Sequence, residues 1–476
     1  MKNTEIIDGL KKIVKEERVF LDESTRAQKA VDLYALRLYQ REFGWKPILP
    51  LVVVKVVDKQ EVSQILAFCN KNKIAIIPYG GGSGVLAGAE TTDPNVVVLD
   101  MSGINYVNDV NDTDLTITCG AGVYIKDLEK FVNSKGYVLG HYPQSMDLAQ
   151  MGGLVSTRSI GQFSTGYGGM ENLLLGLEGV LVDGTEVSFR SNPRKAAGPD
   201  LRHIFLGGEG ALGVVTEVTV KVFPMPQSSY KEAFRVTSMD QGFNIIRLIM
   251  REGISPSVIR LHDWMECAKP YGSFMEEGEC LLIFRADGTK ELTEMEWKII
   301  SRIAKENGAI SAGSKPVDVW YEHRNDAALE YEEYAKQGIL VDTIEISAKW
   351  SDIYKIYEET LDQIYYDEKI SEYMMFASGH SSHSYLNGTN VYFQFAAMPP
   401  QDATLDEIEK IHRRIWDIVM ENTLKYNGSI AHHHGVGKHR TPYLKEELGN
   451  AYIMLKKIKE ALDPNWILNP DSLLKK

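Results

Sequence analysis

Three adjacent histidines, His432-His433-His434, stand before Gly435-Val436-Gly437 and the basic run Lys438-His439-Arg440. Histidine is the side chain whose ordinary pKa lies nearest physiological pH, so a cluster of this kind suits proton transfer or metal binding. An expression tag would be terminal and set in linker sequence. Here Gly428-Ser429-Ile430-Ala431 leads in and a helical pattern follows. The segment reads as part of an active site, with both chemistries open.

A second kind of chemistry is carried by three glycine-rich loops. The first, Pro78-Tyr79-Gly80-Gly81-Gly82-Ser83-Gly84-Val85-Leu86-Ala87-Gly88, follows directly on the apolar run Ile74-Ala75-Ile76-Ile77. Glycines let a backbone approach a ligand closely and aim successive N–H groups at an anion, so a diphosphate is the natural guest. Gly82-x-Gly84-x-x-Ala87 nearly fits the dinucleotide fingerprint, and Asp100 ends the next strand. That reading fails on context, because Gly88 and Pro94 leave no room for the helix that should hold the phosphates. A Walker loop fails too, for want of Gly-Lys-Ser/Thr. The second loop is Pro143-Gln144-Ser145-Met146-Asp147-Leu148-Ala149, continued by Ser156-Thr157-Arg158-Ser159. The third is Gly207-Gly208-Glu209-Gly210-Ala211-Leu212-Gly213-Val214-Val215. Three such loops in one domain point to a large bound cofactor.

The elements that must position these residues divide the chain into four. Residues 1–45 read as a charged helical segment. Residues 46–226 read as short α+β elements, with a helix opening at Asp58 in a capping-box-like start, a helix over Ile125–Ser134, and a hairpin turning at Asp183-Gly184. Residues 227–427 alternate longer helices with β-prone runs such as Glu279–Phe284, Gly338–Ile346 and Asn390–Phe395, which suggests an antiparallel sheet covered on one face. Residues 428–476 carry the histidines and are expected to return to the first domain. The fold class is therefore α+β.

Composition sets the outer limits. At 476 residues, with 44% hydrophobic and 25% charged side chains, the chain is an ordinary multidomain globular protein. A net charge of −13 argues against nucleic acid as a partner and leaves room for weak attachment to a membrane surface. Four cysteines without Cys-x-x-Cys spacing read as reduced thiols, and no signal-peptide stretch or spanning segment is visible, so a cytoplasmic location is expected. A homodimer is the expected assembly.

The three loops, in this order and spacing, resemble the FAD-binding domain of the vanillyl-alcohol-oxidase and p-cresol-methylhydroxylase superfamily. The resemblance implies two α+β subdomains that bury non-covalent FAD beneath a cap. On it, the first loop holds the pyrophosphate, the second lines the cofactor, and Glu209–Val215 meets its adenine side. Within the superfamily the chain most resembles the alkyldihydroxyacetonephosphate synthase family, through Ser257-Val258-Ile259-Arg260-Leu261-His262-Asp263, Asn390-Val391-Tyr392-Phe393 and Ser429–Lys438. That family exchanges the acyl chain of acyl-dihydroxyacetone phosphate for a fatty alcohol, with the carbon skeleton held covalently at flavin N5. The resemblance makes Tyr392 the acid/base group and His432, His433 and His434 its aids in proton transfer, while Arg260 holds an anionic group.

The alternative is an FAD-linked oxidoreductase acting on a 2-hydroxyacid or related alcohol, either alone or through an electron-accepting partner protein. Relatives of that kind clamp substrate with a divalent metal through Gly-His-x-Gly-Asp-Gly-Asn-x-His and a later Glu-His-Gly. Here Gly379-His380 begins the pattern, but Ser381–Gly388 replaces its loop, Tyr392 stands for the second histidine and His433 for the glutamate. Loss of a carboxylate and an imidazole weakens a metal site, so no metal is expected.

Overall fold

The computed structural model describes residues 2–326 and 331–476. Strands Val52–Lys55, Val97–Asp100 and Ile76–Tyr79 lie parallel in a small sheet. Helix Lys59–Asn72 connects the first to the third in sequence; Asp58 caps it by accepting from the Glu61 N–H, and its stripe of Val62, Ile65, Leu66 and Cys69 is buried. The 1–45 segment is not wholly helical, because Val19–Phe20 pairs antiparallel with Val53–Val54 at the sheet edge. A second four-stranded sheet, wholly antiparallel, runs in the order Thr116–Gly120, Val214–Lys221, Leu174–Val180, Glu186–Phe189. These two sheets with their helices carry all three glycine loops on the connections between strands.

The cap is a seven-stranded antiparallel sheet. Its order is Ile310–Gly313, Ser228–Val236, Cys280–Gly288, Val258–His262, Met374–Ser381, Gly388–Ala397, Leu340–Lys349. Alternation along each strand separates two faces. Ile259, Leu261, Ile344, Ile346, Val391 and Phe393 turn to one side and form a core with helices Met239–Arg251, Ile353–Tyr366 and Leu405–Lys425. Burying a side chain such as Phe393 there stabilises by about 1.5–3 kcal/mol. The sheet is not covered on one face only. Val258, Leu281 and Ile283 pack on the opposite side against Cys267 and Tyr271 of helix Trp264–Tyr271 and Val317 and Trp320 of helix Lys315–His323. Next to that second core the same face carries polar side chains.

The C-terminal segment joins both parts. Ser429 bridges Ser347 on the edge strand of the cap, and Leu468 bridges Ile76 in the parallel sheet. No helix among the described residues is long and apolar enough to cross a membrane.

Candidate active site

Four polar residues stand in one cross-strand row on the cap sheet. His262 pairs with His380, His380 with Tyr392, and Tyr392 with Glu345, so neighbouring strands each contribute one side chain to the same face. The Tyr392 ring stacks on His380 at 4.9 Å between centroids and on His433 at 5.8 Å, and meets His434 edge-on at 5.4 Å. Its hydroxyl donates to Thr343 Oγ1 at 2.9 Å. Tyr392 and all three histidines of the triplet are thus brought together, each half-buried.

Two buried carboxylates place the triplet. Glu345, wholly buried, accepts the N–H groups of His433 and His434 and takes a two-pronged ion pair from the equally buried Arg440. Burial alone would raise the Glu345 carboxyl, but the Arg440 guanidinium outweighs it and holds the group well below the usual carboxylate range. From the other side, Glu209 accepts from the N–H groups of Val436 (2.6 Å) and Gly437 (2.8 Å). The histidine turn is therefore pinned to the cap by Glu345 and to the third glycine loop by Glu209.

Around the triplet, His432 Nδ1 faces His433 Nδ1 at 2.9 Å, and His432 Nε2 meets the Tyr385 hydroxyl at 2.7 Å. His383 stacks on His432 at 5.0 Å and contacts Ser164 Oγ through Nδ1 at 2.6 Å. Burial pushes the His432 ring down to about 4 and His383 and His433 well below the ordinary histidine value, while it raises the Tyr392 phenol well above its own. At neutral pH the site thus holds neutral imidazoles beside a protonated phenol. His383, His432 and His433 offer nitrogens within 4.8 Å of one another with no carboxylate among them. A cation there would add to the positive charge that Arg260 already brings beside His383.

Arg260 is buried, with its guanidinium over the Trp320 ring at 5.4 Å. It donates to His262 Nε2 at 3.1 Å and His380 Nε2 at 3.0 Å and has no carboxylate within ion-pair distance among the described residues.

The glycine loops meet below this recess. A Cβ on Gly81 would fall 1.6 Å from the Leu148 carbonyl oxygen, and one on Gly210 would fall 3.1 Å from the Pro78 ring. Among the described residues the N–H groups of Gly81, Gly82, Ser83 and Gly84 donate no hydrogen bond. The buried Gln150 amide, beside Gly80, has both polar atoms unpartnered. Free donors on a glycine turn suit a diphosphate, so Gly81, Gly82, Ser83 and Gly84 fit the pyrophosphate-holding role, whereas Pro78 has no N–H to give and the Tyr79 hydroxyl is turned to the Val31 carbonyl. Other expected cofactor residues are placed differently. The Ser156 and Thr157 hydroxyls return to the Gly152 and Gly153 carbonyls, Gln144 reaches the Arg324 carbonyl, and exposed Asp147 pairs with Lys126. Ser159 Oγ lies 3.2 Å from His141 Nε2, and Arg158 Nε lies 3.7 Å from Glu171. Ala211 and Leu212 pack against Val436 and Leu444, while Val214 and Val215 enter the two sheet cores, so these four can offer a cofactor only backbone. Pro143, Ser145, Met146 and Ala149 complete the second loop, where the Ser145 carbonyl accepts from Leu148 and Ala149. Gly213 lies against Phe205.

Sequence reasoning missed Glu345, Glu266 and Asp32, and gave Arg440 no role beyond its place in the basic run. A signal existed for the first: Ile344-Glu345-Ile346 puts a carboxylate in the alternation of a buried strand, where it needs a partner. Asp32, buried 3.2 Å from where a Gly84 Cβ would stand, gave no such signal.

A glycine turn with free N–H donors and a cluster of neutral imidazoles around a phenol are arrangements that a cofactor-dependent enzyme can use. The chain belongs to the FAD-linked oxidases: residues 50–190 match the FAD binding domain family and residues 225–473 match the family of FAD linked oxidases, C-terminal domain. FAD is its cofactor, as the family resemblance implied. Over 475 residues it is 39% identical to the uncharacterized FAD-linked oxidoreductase YgcU of Escherichia coli (strain K12), covering 98% of each chain. It is 26% identical over 452 residues to alkyldihydroxyacetonephosphate synthase of Dictyostelium discoideum, covering 89% of this chain and 73% of that protein. A solved structure of alkyldihydroxyacetonephosphate synthase matches with a TM-score of 0.83 at 23% identity, covering 99% of this chain and 86% of the other, a likeness of fold.

Proposed function

We propose that this flavoenzyme acts on a small substrate bearing a phosphate or carboxylate, by proton transfer at Tyr392 and with no metal clamp. The stacking of Tyr392 between His380 and His433 carries this reading. FAD, when bound, supplies a redox-active, electrophilic ring against which the reacting carbon is placed. Arg260 takes the anionic group, since a buried guanidinium without a carboxylate partner favours an anion. The protonated Tyr392 gives its proton to the leaving oxygen, and a neutral imidazole of the triplet accepts the proton that the incoming group or carbon releases. The reaction we assign is synthase-like: an acyl chain on dihydroxyacetone phosphate leaves as fatty acid, a long-chain alcohol takes its place, and the hydroxyl proton of the alcohol passes to the triplet. The relation to the Dictyostelium discoideum synthase supports this choice.

A second reading, dehydrogenation of a 2-hydroxyacid or related alcohol, is supported by the 39% identity to an FAD-linked oxidoreductase. The same residues would serve, with the triplet taking the hydroxyl proton. One anaerobic preparation separates the two. Acyl-dihydroxyacetone phosphate with hexadecanol should give ether product with the flavin absorbance unchanged at completion. Bleaching by a 2-hydroxyacid such as D-lactate, without ether product, would establish the second reading and sink the first. In either case Tyr392→Phe should slow turnover by about 10²–10⁴-fold and leave the bound-FAD spectrum intact. An unchanged rate removes Tyr392 from the chemistry.

A further inference from the structure

Glu266, on helix Trp264–Tyr271, lies under the row of site residues, and among the described residues its carboxylate contacts His262, His380 and Gln394. Its Oε2 is 2.9 Å from His380 Nδ1, and its Oε1 is 3.0 Å from His262 Nδ1 in an approach bent from linearity. The opposite nitrogens of the same two rings face Arg260, Nε at 3.1 Å from His262 Nε2 and Nη2 at 3.0 Å from His380 Nε2. A guanidinium has only donors and an ionised carboxylate only acceptors. Both rings must then carry their proton on Nδ1 and leave Nε2 bare. A doubly protonated ring would set N–H against N–H at Arg260, and the other tautomer would oppose both partners at once.

We propose that Glu266 is a positioning residue: through two neutral imidazoles locked as Nδ1–H tautomers it aims the Arg260 guanidinium along the sheet row. The two rings act as spacers. They keep the carboxylate off the arginine, where a direct ion pair would occupy the donors that a ligand needs. Two of the five guanidinium N–H groups go to the rings, which leaves the others for an anion. The same contacts argue against a cation among His262, Glu266 and His380, although their ligand atoms lie within 4.8 Å of one another. Three of the four ring nitrogens of the pair are hydrogen-bonded, the His262 Nδ1 faces Glu266 only off-line, and Arg260 adds a positive charge beside them. Helix anchoring supports the placement. The N-cap Asp263 accepts from the Glu266 N–H and, through its other oxygen, from the Gly379 N–H (2.7 Å) and the Tyr357 hydroxyl (2.9 Å), tying the helix to the strand that bears His380.

The assignment of an anion to Arg260 rests on the proposed function, but the tautomer lock does not, so the test has two arms. The first uses the FAD-loaded wild-type protein labelled with ¹⁵N-histidine, its signals assigned with His262→Gln and His380→Gln. Long-range ¹H–¹⁵N spectra at neutral pH should show both rings neutral with the proton on Nδ1. Either ring seen as Nε2–H or as imidazolium overturns the lock. The second arm titrates inorganic phosphate into wild type and Glu266→Gln, followed by calorimetry and the flavin spectrum. The carboxamide offers one acceptor and one donor, so one ring must lose its Nδ1 partner and Arg260 its aim. Phosphate affinity should fall about tenfold or more, with FAD content kept. Equal affinity in the two proteins overturns the positioning role. Failure of wild type to bind phosphate overturns the anion assignment at Arg260 and leaves the tautomer spectra to decide the lock.

Discussion

Tyr392 and Gly81 show how differently single residues are fixed. Tyr392 keeps its proton because burial disfavours the phenolate, and its ring is held by stacking and by the Thr343 hydroxyl. Gly81 is fixed by what it lacks: a methyl group there would collide with the Leu148 carbonyl, a main-chain atom that cannot swing aside. Gly81→Ala should accordingly yield protein that has lost most of its bound FAD, read as the ratio of flavin to protein absorbance. A fully loaded variant would show that the two loops do not need this approach. At this scale much was legible. The triplet, Tyr392 and the glycine turn announce themselves by residue type. Glu266 did not: His262 stands only four residues before it, but His380 comes from a strand far away in sequence, and only the register of the sheet sets the two rings side by side.

Among the elements, the histidine turn depends on the pair Glu345 and Arg440, both without solvent contact. Replacing Glu345 by Gln leaves a buried guanidinium without its counter-charge, which costs about 3–5 kcal/mol. The expected result is a marked fall in the urea midpoint together with loss of activity; an unchanged midpoint would mean that the pair does not hold the turn. Strongly periodic elements were read well, such as the capped helix Lys59–Asn72 and helix Ile125–Ser134. Strand Val258–His262 was seen as a motif and not as a strand, although Ile259-Arg260-Leu261-His262 keeps the apolar–polar alternation that marks one, over a run of only five residues. The second layer of helices over the cap was missed because Trp264–Tyr271 contains Pro270, a residue that ordinarily argues against helix.

For the whole molecule, buried neutral histidines make stability depend on pH. Burial brings His141 and His380 to about 4, the latter against the opposing pull of Glu266. In the unfolded chain both return to the ordinary value of about 6.5, so below it the unfolded state binds protons that the folded state refuses. Their contribution is intact above about pH 6.5 and is lost as the pH falls toward about 4, at about 1.4 kcal/mol per ring for each pH unit. Urea denaturation across this window checks it, and a flat midpoint would show that these rings titrate normally. The row of His262, His380, Tyr392 and Glu345 has a consequence of another kind. Because side chains alternate along a strand, the row behaves as a reading frame: one residue inserted within any of its four strands would send that strand's polar side chain into the apolar core and bring core residues to the polar face. Substitution can retune such a site one group at a time, whereas changes of length are tolerable neither in these strands nor in the Ser382–Asn387 turn, which carries His383 and Tyr385.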